Sequence, residues 1–407
     1  MFFNTVGSLM YQGCLWLTTV LVVILSSSYN DSGLLAFAMT IGNMFNPVAT
    51  YSMRPYQVSD VKGDYSQENY VAFRLVTLLL GFAVIIPYTL VVTSDPTTIG
   101  VVLIYLVFKA DEAFCDVLYG VDQRAERMDY IGISQFARGV FLVVTFAGGL
   151  VVSGNLHVAI VVMSLVCIAT TFAYDLPHAS RIASLRPRID RAQAWALLKG
   201  CLPLVVSTLF IGMVVSVSRQ WFSNAYGTEE LGRYAAVATP AVLVQVAARY
   251  LYAPALVPLS ECWDKDAGAF KANLLRTAGV MAIGSVVVAA ALSACGDPLL
   301  LRVYGQSIAG YTYLFPLVLV GTVALAFLWF FADILVICRD LKGMLLAAVA
   351  AVAMTFVSVV PLESSFGMNG INLTVIVAAF AGMSVALLRL RIRVKRTRCK
   401  ATDGRNC

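Results

Sequence analysis

Apolar residues fall along this chain in about twelve blocks, near 2–25, 34–51, 70–92, 98–119, 130–152, 157–174, 196–217, 234–254, 274–294, 311–337, 344–361 and 367–388. Most approach the ~20 residues that a helix needs to cross a ~30 Å hydrocarbon core. Short polar stretches separate them. The blocks lack the ~10-residue alternation of a membrane β-barrel, so helical spans are predicted. The first block follows Met1 with no cationic leader and no small-residue cleavage site, and it reads as a retained span. The pattern predicts an all-α polytopic membrane protein with about twelve transmembrane helices.

Composition agrees. Of 407 residues, 59% are hydrophobic and 13% charged, with a mean hydropathy of +0.81. A soluble domain carries about 45–50% apolar and about 25% charged residues, so most of this surface must meet lipid. The nine cysteines show no CxxC spacing and the two histidines are far apart, so no metal centre, cofactor or nucleic-acid partner is expected. With the N-terminus in the cytoplasm and the spans alternating, 23 of the 29 lysines and arginines fall in inner loops or the tail. Three fall outside and three within spans. That asymmetry predicts that both termini are cytoplasmic, and the net charge of +6 is mostly its expression.

The longest polar stretch between spans, near 175–195, divides six spans from six. We therefore expect an N-terminal lobe at 1–174, a cytoplasmic linker at 175–195, a C-terminal lobe at 196–388 and a basic tail at 389–407. Gly33 and Pro55 recur as Gly232 and Pro254 at an offset of 199 residues, and acidic residues follow both stretches. Duplicated six-helix halves, with substrate passing between them, would produce this pattern.

The fourth block carries the chemistry. Lys109, Glu112, Asp116, Tyr119 and Gln123 lie along one stripe of a helix. A charge near the middle of a span costs roughly 2.5–3.5 kcal/mol on insertion scales, so such residues face protein or a watery path. Lys109 should lie ~16 Å from the outer end of its span. Glu112 and Arg138 match in depth on adjacent antiparallel spans and are expected to pair, while Asp111 lies on another face. Arg54 and Arg249 are expected on similar faces of repeat-related helices near the inner leaflet, with Asp333 a partner for Arg249. Guanidinium forks suit phosphate oxygens. The chain has no P-loop, no HExxH and no paired-aspartate site for a metal-bound diphosphate, which argues against an enzyme.

Two segments, MRPYQVSDVKGDYSQENYVAFR and KADEAFCDVLYGVDQRAERMDYIGISQFARG, resemble bacterial polysaccharide (O-antigen or capsule) repeat-unit flippases. Those proteins belong to the multidrug/oligosaccharidyl-lipid/polysaccharide (MOP) exporter superfamily. The resemblance implies two six-helix lobes around a central, largely cationic cavity. It also implies a substrate in which a short sugar chain is attached to undecaprenyl diphosphate, bound here by Arg54, Arg249, Lys109 and Arg138. The intramembrane acids Glu112, Asp116, Asp111 and Asp333 are then candidates for coupling to a proton or sodium ion. The setting implied is a bacterial cytoplasmic membrane, with membrane lipid and polysaccharide-assembly proteins as partners. The alternative is a cation-coupled multidrug or metabolite antiporter of the same superfamily, which would need an acidic, aromatic-lined cavity. Reporter fusions at Asn30 and Arg188 should report opposite sides of the membrane, and a shared side would refute the span assignment.

Overall fold

The computed structural model describes residues 2–26, 28–60, 63–263 and 267–403, which are helical almost throughout and contain no strand. Lys62, Lys265 and the end of the basic tail, residues 404–407 with Arg405, lie outside the described residues. The chain begins with α1 (Phe2–Leu25), α2 (Tyr29–Thr50), a short α3 (Met53–Ser59), α4 (Gln67–Val92), α5 (Pro96–Arg124), α6 (Met128–Ser153) and α7 (Leu156–Thr170). A π turn, Thr171–Asp175, carries α7 into α8 (Leu176–Ile182). There follow α9 (Arg191–Tyr226), α10 (Thr228–Ala238), α11 (Val242–Tyr252), α12 (Leu256–Trp263), α13 (Ala267–Tyr304), α14 (Phe315–Ile337), α15 (Leu341–Phe366) and α16 (Met368–Asp403).

Among the described residues, ten helical stretches, counting α7–α8 and α10–α12 as one each, are long and apolar enough to span a membrane. Two more are long but too polar to qualify by composition: α2, with 22 residues, and α5, with 29. Together they make twelve and place the chain among multi-pass membrane proteins. Val91 and Val152 are 86% and 88% exposed, which suits side chains whose surroundings are hydrocarbon.

Helix ends follow the local sequence. Asp95 accepts hydrogen bonds from the Thr97 and Thr98 amides ahead of Pro96, which opens α5. Ser66 and Asn69 form a reciprocal cap on α4. Asp340, buried between spans, caps α15 and accepts from Arg389 and Arg393 at 2.9–3.1 Å. Burial pushes its carboxyl up, but the two arginines and the Gly343 amide outweigh this and hold it well below the usual carboxylate range. Two cations of the basic tail are thus ion-paired, beyond their part in topology.

The chain forms two compact units. The first comprises residues up to Val205 together with Ser223–Ala236, and the second comprises Val206–Phe222 with Val237 onward. One helix, α9, therefore contributes to both, and the change of unit falls beside Pro203. In the first unit α1 packs on α6, α6 on α7, α2 on α4 and α5, and α5 on α7. In the second, α15 packs on α16, α16 on α14, and α11 on α13 and α14.

Of the expected linker, residues 175–182 continue the sixth span as helix, and only 183–190 is extended. That piece is fastened to the start of α4. Asn69 Nδ2 donates to the Arg188 carbonyl at 2.7 Å, and Ser184 donates to Glu68. Leu185 and Ile189 pack on a cluster containing Tyr51, Tyr70, Phe73, Leu197 and Cys201.

The repeat glycines touch. A Cβ added at Gly33 would stand 1.7 Å from the Thr228 carbonyl oxygen, and one at Gly232 would stand 1.9 Å from that of Tyr29. Tyr29 and Thr228 differ by the same 199 residues as the glycines, so the contact maps onto itself under the repeat, as an isologous interface does. Ser32 donates to the Gly232 carbonyl at 3.4 Å, and Thr228 donates to Asn30. The blocking atoms are backbone, so Gly33→Ala or Gly232→Ala should destabilise the protein by about 1–3 kcal/mol or more. Gly13→Ala and Gly148→Ala, whose Cβ positions are open, should be neutral or stabilising by up to about 1 kcal/mol. Thermal unfolding in detergent separates the two sets.

Candidate functional site

The site is built around a break in the chain. α2 ends at Thr50 because Tyr51 and Ser52 adopt φ of 51° and 50°, a left-handed pair in residues other than glycine. Each such residue costs about 1–2 kcal/mol, so the surroundings must impose it. Tyr51 is 2% exposed, donates its hydroxyl to the Leu198 carbonyl at 3.0 Å and sets its ring edge-on against Phe73. Helix ends leave carbonyls without intrahelical partners. Here the Ala49 carbonyl accepts from Arg74 Nη1 and from the Thr77 hydroxyl, each at 2.7 Å. The chain then restarts as α3 and carries Arg54 with it.

The loop after α3 is fixed by Asp60, which accepts from the Gly63, Asp64 and Tyr65 amides at 3.0 Å and from the Tyr70 hydroxyl at 2.9 Å. Burial raises this carboxyl, but the donated hydrogen bonds and nearby Arg124 outweigh it and hold it below its ordinary value.

Arg54 reaches α5. Its Nε donates to Gln123 Oε1 at 3.0 Å, its guanidinium carbon stands 5.6 Å from the Tyr119 ring centre, and Nη1 lies 3.7 Å from Asp116 Oδ1. Neither Nη nitrogen makes a hydrogen bond among the described residues. Asp116 Oδ2 is held at 2.8 Å by Arg74 Nη2, and Arg74 is fully buried. Arg54, Asp116 and Gln123 line a cavity of about 580 Å³, whose wall also includes Asn46, Thr50 and Ser52. Arg54, Arg74 and Asp116 together carry one net positive charge.

The expected Glu112–Arg138 ion pair is replaced by two separate arrangements. Glu112 accepts from Lys109 and from the Tyr11 hydroxyl, both at 2.5 Å. Arg138 is 2% exposed and pairs with Asp111, and more distantly with Asp175 at 3.4 Å. Its Nη1 also reaches Thr171 Oγ1 at 2.7 Å and the Cys115 sulfur at 2.9 Å. Matched depth was correct for Arg138, but residues 111 and 112 are ~100° apart around the helix, and the 111 side faces α6 and α7. The cluster holds two carboxylates and one guanidinium.

The expected Asp333–Arg249 partnership is looser than an ion pair, with Arg249 near enough to act on Asp333 only electrostatically. Asp333 accepts from Tyr252 at 2.9 Å, while Arg249 is exposed on α11 with no ion pair among the described residues. Arg54 lies beyond the helix break whereas Arg249 is still within its helix, so their settings are not equivalent. Three residues were missed. Arg74, counted with the inner loops, is buried, and its place inside an apolar run (YVAFR) was the available signal. Asp175 was taken for a linker residue, and no sequence pattern marks a π turn. In the second unit Glu363, fully buried, accepts from Ser218.

No protein-family model and no curated protein matches this sequence. Solved structures do. An inward-facing multidrug resistance MATE family transporter of the MOP superfamily superposes with a TM-score of 0.72 at 13% identity, covering 94% of this chain and 95% of that one. The lipid II flippase MurJ, in an inward closed conformation, gives 0.74 at 12% identity, over 98% and 90%. A MOP superfamily transporter from Pyrococcus furiosus, whose binding pocket is described as reversed in polarity, gives 0.59 at 14%, over 97% and 95%. The fold is that of the MOP transporters. At these identities the likeness extends to the fold alone.

Removing Arg138 would leave two carboxylates buried without their cation, whereas removing one acid leaves a balanced pair. Arg138→Ala should lower stability by about 3–5 kcal/mol, and Asp111→Asn or Asp175→Asn by clearly less. Melting temperature in detergent and abundance in membranes would check the order.

Proposed function

We propose that this chain is a flippase that moves an undecaprenyl-diphosphate-linked oligosaccharide across a bacterial cytoplasmic membrane by alternating access. The observation that carries this reading is the Arg54 guanidinium. It stands at a cavity wall, is oriented by Gln123 and Tyr119, is backed by buried Arg74, and leaves its Nη edge unbonded. A diphosphate is multiply anionic and accepts bidentate hydrogen bonds, which a fixed guanidinium supplies. Arg249, exposed in the second unit, is proposed as a second cation for the same substrate, in a setting unlike that of Arg54. Lys109 is ion-paired within α5 and Arg138 is enclosed between helices, so in this reading neither meets the substrate.

The antiporter alternative needs a free acid for an organic cation, and the one acid at this wall, Asp116, is held by Arg74. The fold resemblance to a lipid II flippase is consistent with a lipid-linked substrate. For coupling, we assign the Asp111–Arg138–Asp175 cluster. With both acids ionised it lacks one positive charge, which a proton or sodium ion would supply. Asp333 and Glu112 are each satisfied by neighbours. The setting proposed includes cytoplasmic termini, membrane lipid and polysaccharide-assembly proteins.

Arg54→Ala and Arg249→Ala should each reduce surface polysaccharide about tenfold or more, since a charge-assisted hydrogen bond contributes roughly 1.5–3 kcal/mol. Membrane abundance should remain near normal, and lysine should restore export only in part. Full export by the double alanine variant, in a strain dependent on this protein, would overturn the reading.

A further inference from the structure

We infer that Asp116 is an internal counter-ion: it shields Arg54 while the cavity is empty, yields to the anionic head of the substrate, and returns to drive that head out. This rests on the anionic-substrate reading above and assigns within it a residue that sets the balance between affinity and release.

The geometry around Asp116 is unequal in an informative way. Its Oδ2 is hydrogen-bonded to Arg74 at 2.8 Å, while its Oδ1 is 3.7 Å from Arg54, beyond hydrogen-bonding distance. Arg74 cannot leave, because it is fully buried and its other terminal nitrogen is fixed on the Ala49 carbonyl. Asp116 can therefore release Arg54 and still keep a partner, so an incoming anion does not strand a buried carboxylate. Arg54 in turn is steered from its Nε side by Gln123, and its Nη edge is the part that Asp116 approaches. Carboxylate and phosphate oxygens compete for that same fork. Both side chains are about a quarter exposed, at 23% and 26%, so the exchange takes place at the cavity wall.

The other polar groups nearby do not offer this exchange. On α5 itself Glu112 is taken by Lys109 and Tyr11, Tyr119 bonds Ser134 at 2.8 Å, and Asp122, near enough to feel Arg54, is enclosed and not part of this wall. α2 contributes only the uncharged Asn46 and Thr50 to this wall. A site with both arginines and no acid would hold a diphosphate more tightly in every state, and uniform tightening does not speed turnover.

The test uses full-length protein in detergent, with inorganic pyrophosphate and undecaprenyl diphosphate as probes, and export measured in cells. Asp116→Asn should bind both probes about fivefold tighter or more, from the lost interaction at about 4 Å, yet export more slowly than wild type. Because Asp116→Asn leaves Arg74 buried without a counter-charge, the paired variant Arg74→Met with Asp116→Asn removes both charges together and should show the same split. Equal or weaker binding by the folded double variant, with wild-type binding still dependent on Arg54, would overturn the counter-ion while leaving the anionic-substrate reading standing. No pyrophosphate or lipid diphosphate binding by wild type, or no loss with Arg54→Ala, would overturn the anionic-substrate reading and the counter-ion with it.

Discussion

A charge placed among apolar helices has to be neutralised where it stands, and in the first unit that requirement organises everything around α5. The helix carries Lys109, Asp111, Glu112, Asp116 and Asp122 in its membrane-crossing length. Three of these acids, Asp111, Glu112 and Asp116, find partners on nearly every neighbour: Tyr11 on α1, Arg54 on α3, Arg74 on α4, Arg138 on α6, and Thr171 where α7 passes into its π turn. In lipid there is little hydrophobic drive to hold helices together, so close packing and polar contacts must do more of the work. Each bond also fixes α5 in rotation and depth. The break at Tyr51–Ser52 belongs to the same scheme, since the carbonyl it frees at Ala49 is taken by the arginine that anchors Asp116.

The parts legible in the sequence are those set by one coordinate. Hydrocarbon thickness fixes span length, so the apolar blocks match the helices, and the two polar ones, α2 and α5, were found because their flanks are apolar. Helical offset fixes which side of α5 a residue takes, so the stripe from Lys109 to Gln123 was visible. The glycine repeat was visible because close approach of backbones leaves no room for a side chain. Pairing needs depth and rotation of two helices together, and depth alone chose Glu112 where Asp111 is bonded. The left-handed pair at Tyr51 and Ser52 carries no glycine or asparagine to mark it, and what stabilises it, Leu198, is 147 residues away. Asp175 was hidden by its neighbours, because a polar run following a span reads as loop even where the helix continues.

Two arginines in the same unit show how coordination separates roles that sequence cannot. Arg138 is enclosed, with Asp111, Asp175, Thr171 and Cys115 around its terminal nitrogens. Its terminal nitrogens are already used, which leaves no open edge for a phosphate. Arg54 is fixed through Nε alone, with its terminal edge at a cavity wall. By residue type both were candidates for an anion. The difference lies in which donors the protein has already used.

The charge count around α5 carries the argument one step further. On one side two acids share one guanidinium, and on the other two guanidinium groups share one acid. The first side is short of a positive charge and the second short of a negative one, and the same rigid helix holds both. Neither deficit can be met by rearranging side chains, because the acids and bases are already committed to partners on neighbouring helices. In the reading proposed above, an anion bound at Arg54 and a cation bound at Asp111 and Asp175 would each relieve a local imbalance on its own side of the helix.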